Sequence, residues 1–233
     1  TGNWTRDFDI DTASNRLTDS SIGSDGTGTE SYNYDARGNM TDGMNHLISM
    51  EYNEENRLEK VEVTSSITAY YQYGKDGQRE RKVIINTSAA IKQVRKYVDD
   101  WELYQKIDTG TSTVVLERET LHIEDGNKRV ALIDSPTIDT LSTGEVQLLR
   151  YQHNNNVNTA SLELDDSAAV IAYEEYYPYG SISYQGGRSV AECSLKRYRY
   201  TDQERDEETG FNYHGARYYV PWLARWIAVD PIN

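Results

Sequence analysis

The amino-acid sequence of 233 residues predicts an all-β protein, and three observations support this prediction. Short segments such as Tyr32-Asn33-Tyr34 and Tyr71-Gln72-Tyr73 alternate with a period of two, which places both rings on one face of a strand. The chain has 19 Tyr against 2 Phe, and Tyr suits a half-exposed sheet because it buries a ring and keeps its hydroxyl in water. Patterns typical of helices are almost absent.

The first elements of the chain form a degenerate repeat. Its shared form is two aromatic or apolar residues separated by one position, then a short polar group that ends in Gly, Asn or Arg. The four copies are 8–17, 32–40, 50–58 and 71–79. In each copy, the residue that directly follows the second aromatic or apolar residue is the turn residue, and these residues are at positions 11, 35, 53 and 74. Asp, Asn and Gly at these positions favour tight turns, so each copy predicts a β-hairpin. One hairpin cannot bury its own face, and stacked copies would therefore share a core. The alternative is chance similarity among Tyr-rich hairpins of a sandwich.

Further strands are predicted after residue 90, and they follow a looser pattern. Alternating or β-branched runs occur at 94–97, 113–119 and 128–134, and a loop is expected over 135–144. Residues 161–164 and 170–173 flank Asp165-Asp166-Ser167-Ala168, which predicts another hairpin. The one helix signal is the spacing of Thr201 and Glu204, which is typical of a capping box, and it predicts at most two turns over 201–209.

Composition excludes several classes of protein. The chain has 38 acidic and 24 basic residues, a net charge of −14, which argues against a partner that is a nucleic acid. It has no run of 18 apolar residues, so no membrane span is expected. Cys193 is the single cysteine and cannot form an internal disulfide. The start at Thr1 lacks the pattern of a signal peptide, and we expect an internal or processed piece of a longer chain.

The repeat around Tyr34-Asp35 resembles the YD repeat of the Rhs family, which is shared with teneurins and insecticidal toxin complexes. The end of the chain resembles the Rhs-associated core, and the closest likeness is to the C-type subunit of toxin complexes. The matching segments are 173–180 (YEEYYPYG), 197–210 (RYRYTDQERDEETG), 213–219 (YHGARYY), 221–226 (PWLARW) and Asp230-Pro231. Members of this family continue to a second Asp-Pro motif, where they cut themselves. This sequence stops at Asn233, which stands where the family has Gly, so the cleavage site is missing.

The resemblance implies a fold and a role. Repeat hairpins at 1–147 would form a curved, spiralling β-sheet shell, and an Rhs-associated core at 148–233 would close one end as a plug. Such a shell encloses and delivers a C-terminal toxic effector polypeptide, in a secreted, extracellular delivery system. The implied partners are this effector and either the remaining Rhs shell or a B-type toxin subunit.

The resemblance also implies that Arg205, Asp206 and Asp230 belong to an aspartyl-type self-protease that releases the effector. Two carboxylates at one site can have separated pKa values, so that one acts as acid and the other as base. Arg205 would keep one of them ionised or position a carbonyl group. The alternative is that 204–208 is a solvated charged turn. Without the cleavage site, the chain itself is expected to be inactive.

Neither a cofactor nor a metal site is predicted. The four His are far apart in sequence, and Asp7 to Asp11 lacks the Gly and Glu of a calcium loop, with Thr12 and Thr18 at those positions. Five aromatic residues near the end could fill the plug or, in a third reading of the chain as an adhesive module, bind carbohydrate; they are Tyr213, Tyr218, Tyr219, Trp222 and Trp226. Residues 192–225 carry six basic and six acidic groups, which predicts Arg–carboxylate and cation–π packing.

Overall fold

The computed structural model describes residues 5–23, 29–126, 128–144 and 146–230. Pro231 and Asn233, which the sequence analysis singled out, lie outside the described residues. The described chain is nearly all β, as predicted. A helix α1, Val190–Ser194, and a 3₁₀ turn at Tyr200–Asp202 interrupt the strands. The strands are β1 Arg6–Ile10, β2 Leu17–Ile22, β3 Glu30–Ser31, β4 Asn33–Tyr34, β5 Met40–Asp42, β6 Ser49–Tyr52, β7 Leu58–Thr64, β8 Ile67–Tyr73, β9 Arg79–Asn86, β10 Ile91–Val98, β11 Trp101–Asp108, β12 Thr113–Asp125, β13 Lys128–Asp139, β14 Leu148–Asn154, β15 Ala160–Leu164, β16 Val170–Tyr176, β17 Ile182–Gly187, β18 Glu204–Arg205, β19 Asn212–Tyr213, β20 Tyr218–Val220 and β21 Arg225–Trp226.

Within the described residues, β6 to β17 form one twelve-stranded antiparallel sheet in which every strand pairs with its neighbours in sequence. We call it the main sheet. Smaller sheets contain β1 to β3, β4 with β5, and β18 to β21. The main sheet continues without a break from β13 to β14, where Leu132 lies opposite Arg150. The boundary between repeats and core at 147/148 therefore falls inside a continuous sheet, and its position stays a prediction.

Three of the four predicted hairpins share one turn geometry, and the first, at Asp11, has a loop one residue longer. The Asn53 amide donates to the Arg57 carbonyl at 2.9 Å, and the Asn56 amide donates back to the Asn53 carbonyl at 3.1 Å. The Asn53 side-chain oxygen accepts from the amides of Glu55 and Arg57, which fixes the loop. Asn56 has φ +62°, a conformation that Asn tolerates. The same pair of backbone bonds recurs in the turns that begin at Asp35, Gly74, Asn155, Asp165 and Tyr177.

The tyrosine that precedes the turn residue ties each repeat to the one before it. The Tyr34 hydroxyl donates to the carbonyl of Leu17 at 2.8 Å. The Tyr52 hydroxyl donates to Met40 at 2.8 Å. In each case the acceptor is a buried residue just after the preceding turn. The fourth copy repeats this bond from Tyr73 to the Leu58 carbonyl at 2.5 Å. The Tyr-Asp pattern therefore encodes both a turn and a bond between repeats.

The core lies between the first hairpins, the start of the main sheet and the tail, which we define as residues 192–230. Tyr218 of the predicted aromatic cluster is buried in it, and Trp222 packs against it. Trp226 lies further out, at 38 % exposure, with its ring 5.0 Å from that of His214. The buried members are Leu17, Tyr32, Met40, Met44, Leu47, Met50, Leu58, Val61, Ala69, Tyr71, Phe211, Tyr218, Val220, Leu223 and Ile227.

Two local predictions are wrong. The loop predicted over 135–144 begins later, because β13 extends to Asp139 opposite the buried Leu116. Pro136 is accommodated beside a register shift, where a missing ladder bond costs least. The helix predicted over 201–209 is absent, since Thr201 has φ +51° and β18 follows it.

In the described part of the chain, no helix has the length and apolar character needed to cross a membrane.

Candidate functional site

The structure places the three predicted site residues in different surroundings. Asp206 is completely buried and Arg205 is half-buried, whereas the side chain of Asp230 is 76 % exposed. The Asp206 carboxylate contacts Nη1 of Arg79 and Nζ of Lys82, each at 2.6 Å. Asp230 lies 3.6 Å from Arg217. Asp206 and Asp230 thus have separate partners.

Arg79 is the centre of the cluster around Asp206. It is the first residue of β9, directly after the Gly74 turn, and its amide donates to the hydroxyl of Tyr213 at 2.7 Å. Its guanidinium contacts Glu204 at 2.6 Å and lies 4.3 Å from the centre of the Tyr213 ring. Burial acts to lower the pKa of Arg79, but the charge of Asp206 and its neighbours raises it well above its ordinary value. The guanidinium therefore stays charged.

Two further carboxylates complete this cluster, and their pKa values shift in opposite directions. Burial raises the pKa of Glu208, which accepts from the Tyr71 hydroxyl at 2.9 Å. Burial also acts to raise the pKa of Glu204, but the cations Arg79, Lys82 and Arg197 lower it well below its ordinary value. Glu208 therefore takes up a proton more readily than an ordinary carboxylate, and Glu204 does so less readily. Acid–base chemistry requires two groups that differ in this way.

The sequence analysis missed Glu204, Glu208 and the two cations. A signal for the carboxylates was present, since Glu204, Asp206 and Glu208 alternate with a period of two and a short strand places such residues on one face. No comparable signal marks Arg79 and Lys82, because they lie more than 120 residues away in the sequence.

A second group of buried charges surrounds Glu102 of β11. Its carboxylate contacts Arg197 at 2.7 Å, Arg95 at 3.1 Å and Nε2 of His122 at 2.7 Å. The Tyr198 hydroxyl also donates to it. Burial acts to raise the pKa of Glu102, but Arg197 and His122 hold it well below its ordinary value. Because Arg197 and Tyr198 belong to the tail, this group fastens the tail to the main sheet.

A third group lies over β13 to β16. Arg150, which is fully buried, contacts Asp134 and Glu163, each at 2.9 Å. It also donates to the backbone carbonyl of Glu192 in α1 at 3.0 Å. Glu174 contacts Lys196 at 3.0 Å. Within 192–225, Arg197 pairs with Glu204 at 3.2 Å, so the Arg–carboxylate packing expected there is present.

We call the three groups together the ionic seam, since they form one band of charge between the main sheet and the tail. A cation in such a position is costly unless an anion accompanies it, so the pairs that join tail to sheet, such as Arg79 with Asp206 and Glu102 with Arg197, fix the tail above the sheet. Among the described residues, no cluster of three or more His, Cys, Asp or Glu could hold a metal ion. The members of the seam are Arg79, Lys82, Arg95, Glu102, His122, Asp134, Arg150, Glu163, Glu174, Lys196, Arg197, Tyr198, Glu204, Asp206 and Glu208.

The fold and the seam define a class of protein: a repeat-built antiparallel β-sheet with a charged C-terminal tail packed on it. Among solved structures, the crystal structure of TcdB2-TccC3 shares this fold with a TM-score of 0.80 and 23 % identity, over 98 % of this chain and 12 % of that one. The holotoxin pore of Photorhabdus luminescens gives a TM-score of 0.79 at 23 % identity, over the same shares of the two chains.

Similarity in sequence identifies the family more narrowly than similarity in fold does. The chain is 31 % identical to the toxin subunit YenC1 of Yersinia entomophaga over 251 aligned positions, which cover 98 % of this chain. It is 43 % identical to YenC2 of the same organism over 83 residues, 36 % of this chain and 8 % of that protein. The chain belongs to this Rhs-type family of toxin-complex subunits, as the resemblance predicted. It spans about a quarter (24 %) of the length of YenC1. No family model matches the chain.

Proposed function

We propose that the chain is a structural segment of a hollow β-sheet shell that encloses a C-terminal toxic effector and delivers it. The repeat hairpins at 1–147 supply the wall, and the core at 148–233 supplies the plug. The partners would be the effector, the remaining Rhs shell or a B-type subunit, in a secreted toxin complex. The relatives YenC1 and YenC2, which are toxin subunits, support a place for the chain in a toxin complex.

The observation that carries this proposal is the continuity of the main sheet. In the described residues, twelve strands follow each other edge to edge, and the terminal strand β17 has one partner strand. A long open edge invites aggregation unless another strand continues it. Further shell strands of a longer polypeptide would protect this edge. Tyr hydroxyls that join successive repeats would keep the wall in register.

Cryo-electron microscopy of the full-length polypeptide tests the shell. We expect a closed cavity whose wall contains β6 to β17, with effector density inside it. In a companion assay, added protease should spare the effector in the intact particle and digest it after the particle is unfolded in urea. Separate compact lobes without a cavity, or an effector that is digested equally in both states, would contradict the proposal.

A second candidate function, self-cleavage, is favoured by the buried carboxylates of the tail. Asp206 lies between two cations, and Glu204 and Glu208 have pKa values shifted in opposite directions. We propose that Asp206 and Arg205 contribute to cleavage in the longer polypeptide, and that Asp230, which precedes Pro231, completes the site there.

The test compares Asp206→Asn and Asp230→Asn in the full-length polypeptide, with Asp166→Asn in an exposed turn as the matched control. Fragments are resolved by mass spectrometry, and circular dichroism checks that each variant is folded. We expect the control to cleave normally and both test variants to lose cleavage. Normal cleavage in both folded test variants removes these aspartates from the mechanism while leaving the shell proposal intact.

A further inference from the structure

A cleft of about 500 Å³ lies between the main sheet and the tail, and its lining carries an excess of positive charge. Six cations line it, against the acidic residues Glu207 and Glu208, among the residues that the structure describes. One wall is apolar and contains Val63, Ile67 and Ile84. The cations are Lys82, Arg95, Lys106, Arg118, Arg197 and Arg205.

Three of these cations are neutralised by the ionic seam. Lys82 pairs with Asp206, while Arg95 and Arg197 both pair with Glu102. These three side chains therefore serve the attachment of the tail, and the unbalanced charge of the cleft lies elsewhere.

Arg205 and Lys106 differ from them. Nη1 of Arg205 is buried and has no hydrogen-bond partner in the described part of the chain. Arg205 and Lys106 are also absent from the ion pairs formed among the described residues. The acidic neighbours of Arg205 in the sequence, Glu204 and Asp206, pair with Arg79 instead, and Glu207 is exposed. Nη1 of Arg205 is thus withdrawn from water without an anion beside it, so a counter-charge at this place would be favoured.

A second guanidinium, that of Arg199, lies near Arg205, and Glu174 is its counter-ion. Burial and the charge of Arg205 together lower the pKa of Arg199 to about 10. Burial likewise lowers the pKa of Arg205. Like charges that are buried near each other disfavour the charged form of both, and an anion beside Arg205 would relieve this repulsion.

We propose that this cleft binds an oxyanion, a phosphate or a carboxylate group, between Arg205 and Lys106. A guanidinium offers two parallel N–H donors that match either group, and an ammonium adds a point charge from the opposite wall. The apolar wall at Val63 and Ile84 accommodates the carbon skeleton that carries the anion. The proposal does not depend on the shell role of the chain.

Isothermal titration calorimetry on the full-length polypeptide tests this site with two probes, inorganic phosphate and N-acetylglutamate amide. Saturable binding of phosphate alone identifies a free phosphate-type ligand, and stronger binding of the glutamate probe identifies a polypeptide carboxylate. Arg205→Gln and Lys106→Gln should each weaken the binding about tenfold, the effect of one charge-assisted hydrogen bond. Lys75→Gln removes the same charge from an exposed turn outside the cleft and should change nothing.

Two outcomes would overturn the proposal. One is the absence of saturable binding with both probes. The other is binding that Lys106→Gln weakens no more than Lys75→Gln does. Because Lys106 is only half-buried, its variant should fold even if Arg205→Gln does not, and the comparison with Lys75→Gln remains decisive. Arg205→Lys, which keeps the charge but loses the fork of donors, should bind with intermediate affinity.

Discussion

Arg79→Met removes the cation at the centre of the ionic seam and keeps an unbranched side chain of similar reach. Two carboxylates, Glu204 and Asp206, each lose an oxygen–nitrogen contact of 2.6 Å. Removing one partner of a buried ion pair costs about 3–5 kcal/mol of unfolding free energy, because the remaining charge is buried without compensation. Lys82 remains 2.6 Å from Asp206 and Arg197 remains 3.2 Å from Glu204, so the lower end of this range applies.

The aromatic environment of Arg79 adds to this loss. Its guanidinium lies 4.3 Å from the centre of the Tyr213 ring, a cation–π contact that contributes about 1–2 kcal/mol. We therefore expect Arg79→Met to lower the free energy of unfolding by about 4 kcal/mol, measured by urea titration with tryptophan fluorescence. For a chain of this size, the melting midpoint should fall by about 8–16 °C.

Arg81→Met is the matched control, since Arg81 lies on the same strand and makes a single 3.4 Å hydrogen bond, to exposed Gln72. It should cost less than about 0.5 kcal/mol. The double variant Arg79→Met/Glu204→Gln should recover part of the loss, because one uncompensated charge is gone. If Arg79→Met and Arg81→Met are equally stable, the seam does not hold the tail and the reasoning is refuted.

Three further predictions concern a hydrogen bond between repeats, the titration of His214 in the tail and a glycine with no room for a side chain. Tyr73→Phe removes the hydroxyl that donates to Leu58, and it should cost about 1 kcal/mol in urea unfolding. Burial lowers the pKa of His214 from 6.5 to about 4, so the unfolded chain binds more protons in this window; stability should fall from pH 6.5 to 4, and His214→Phe should flatten the curve. Gly43→Ala would place Cβ against the Ser31 carbonyl oxygen at φ +105°, and calorimetry should show a loss of at least about 2 kcal/mol; an unchanged midpoint would contradict the described backbone.

The hairpins could be predicted from the sequence because each turn is determined by residues that are close together in the chain. A turn residue such as Asn53 accepts hydrogen bonds from the amides two and four positions later in the sequence. The tyrosine before this residue and the polar residues after it form a recognisable pattern. The turn at Asn155 has the same backbone bonds but lacks the preceding aromatic residue, so the repeat pattern did not predict it. In that turn, Asn at positions 155 and 158 was the usable signal.

The tail could not be predicted in the same way, because its contacts are distant in sequence. The capping-box spacing of Thr201 and Glu204 favours a helix locally, but a helix would turn Asp206 away from the face that Glu204 occupies. The short strand β18 and the residue after it place both carboxylates on Arg79, 125 and 127 residues away. Tertiary ion pairing therefore overrides the local preference, and only the alternation of acids hints at it.

Buried charge in the seam also explains how the tail keeps one position on the sheet. Apolar side chains would pack in several registers, and a slip of one residue in a strand sends every side chain to the other face. An ion pair does not tolerate such a slip, because each misplaced carboxylate would be buried without its cation. Arg150 contacts two carboxylates and a carbonyl of α1 at about 3 Å, so it fits one alignment of tail and sheet. We infer that the seam sets the register of the tail more than it adds to stability. Replacing Arg150, Asp134 and Glu163 together by apolar residues should then leave the melting midpoint nearly unchanged but blur the tail signals in nuclear magnetic resonance spectra.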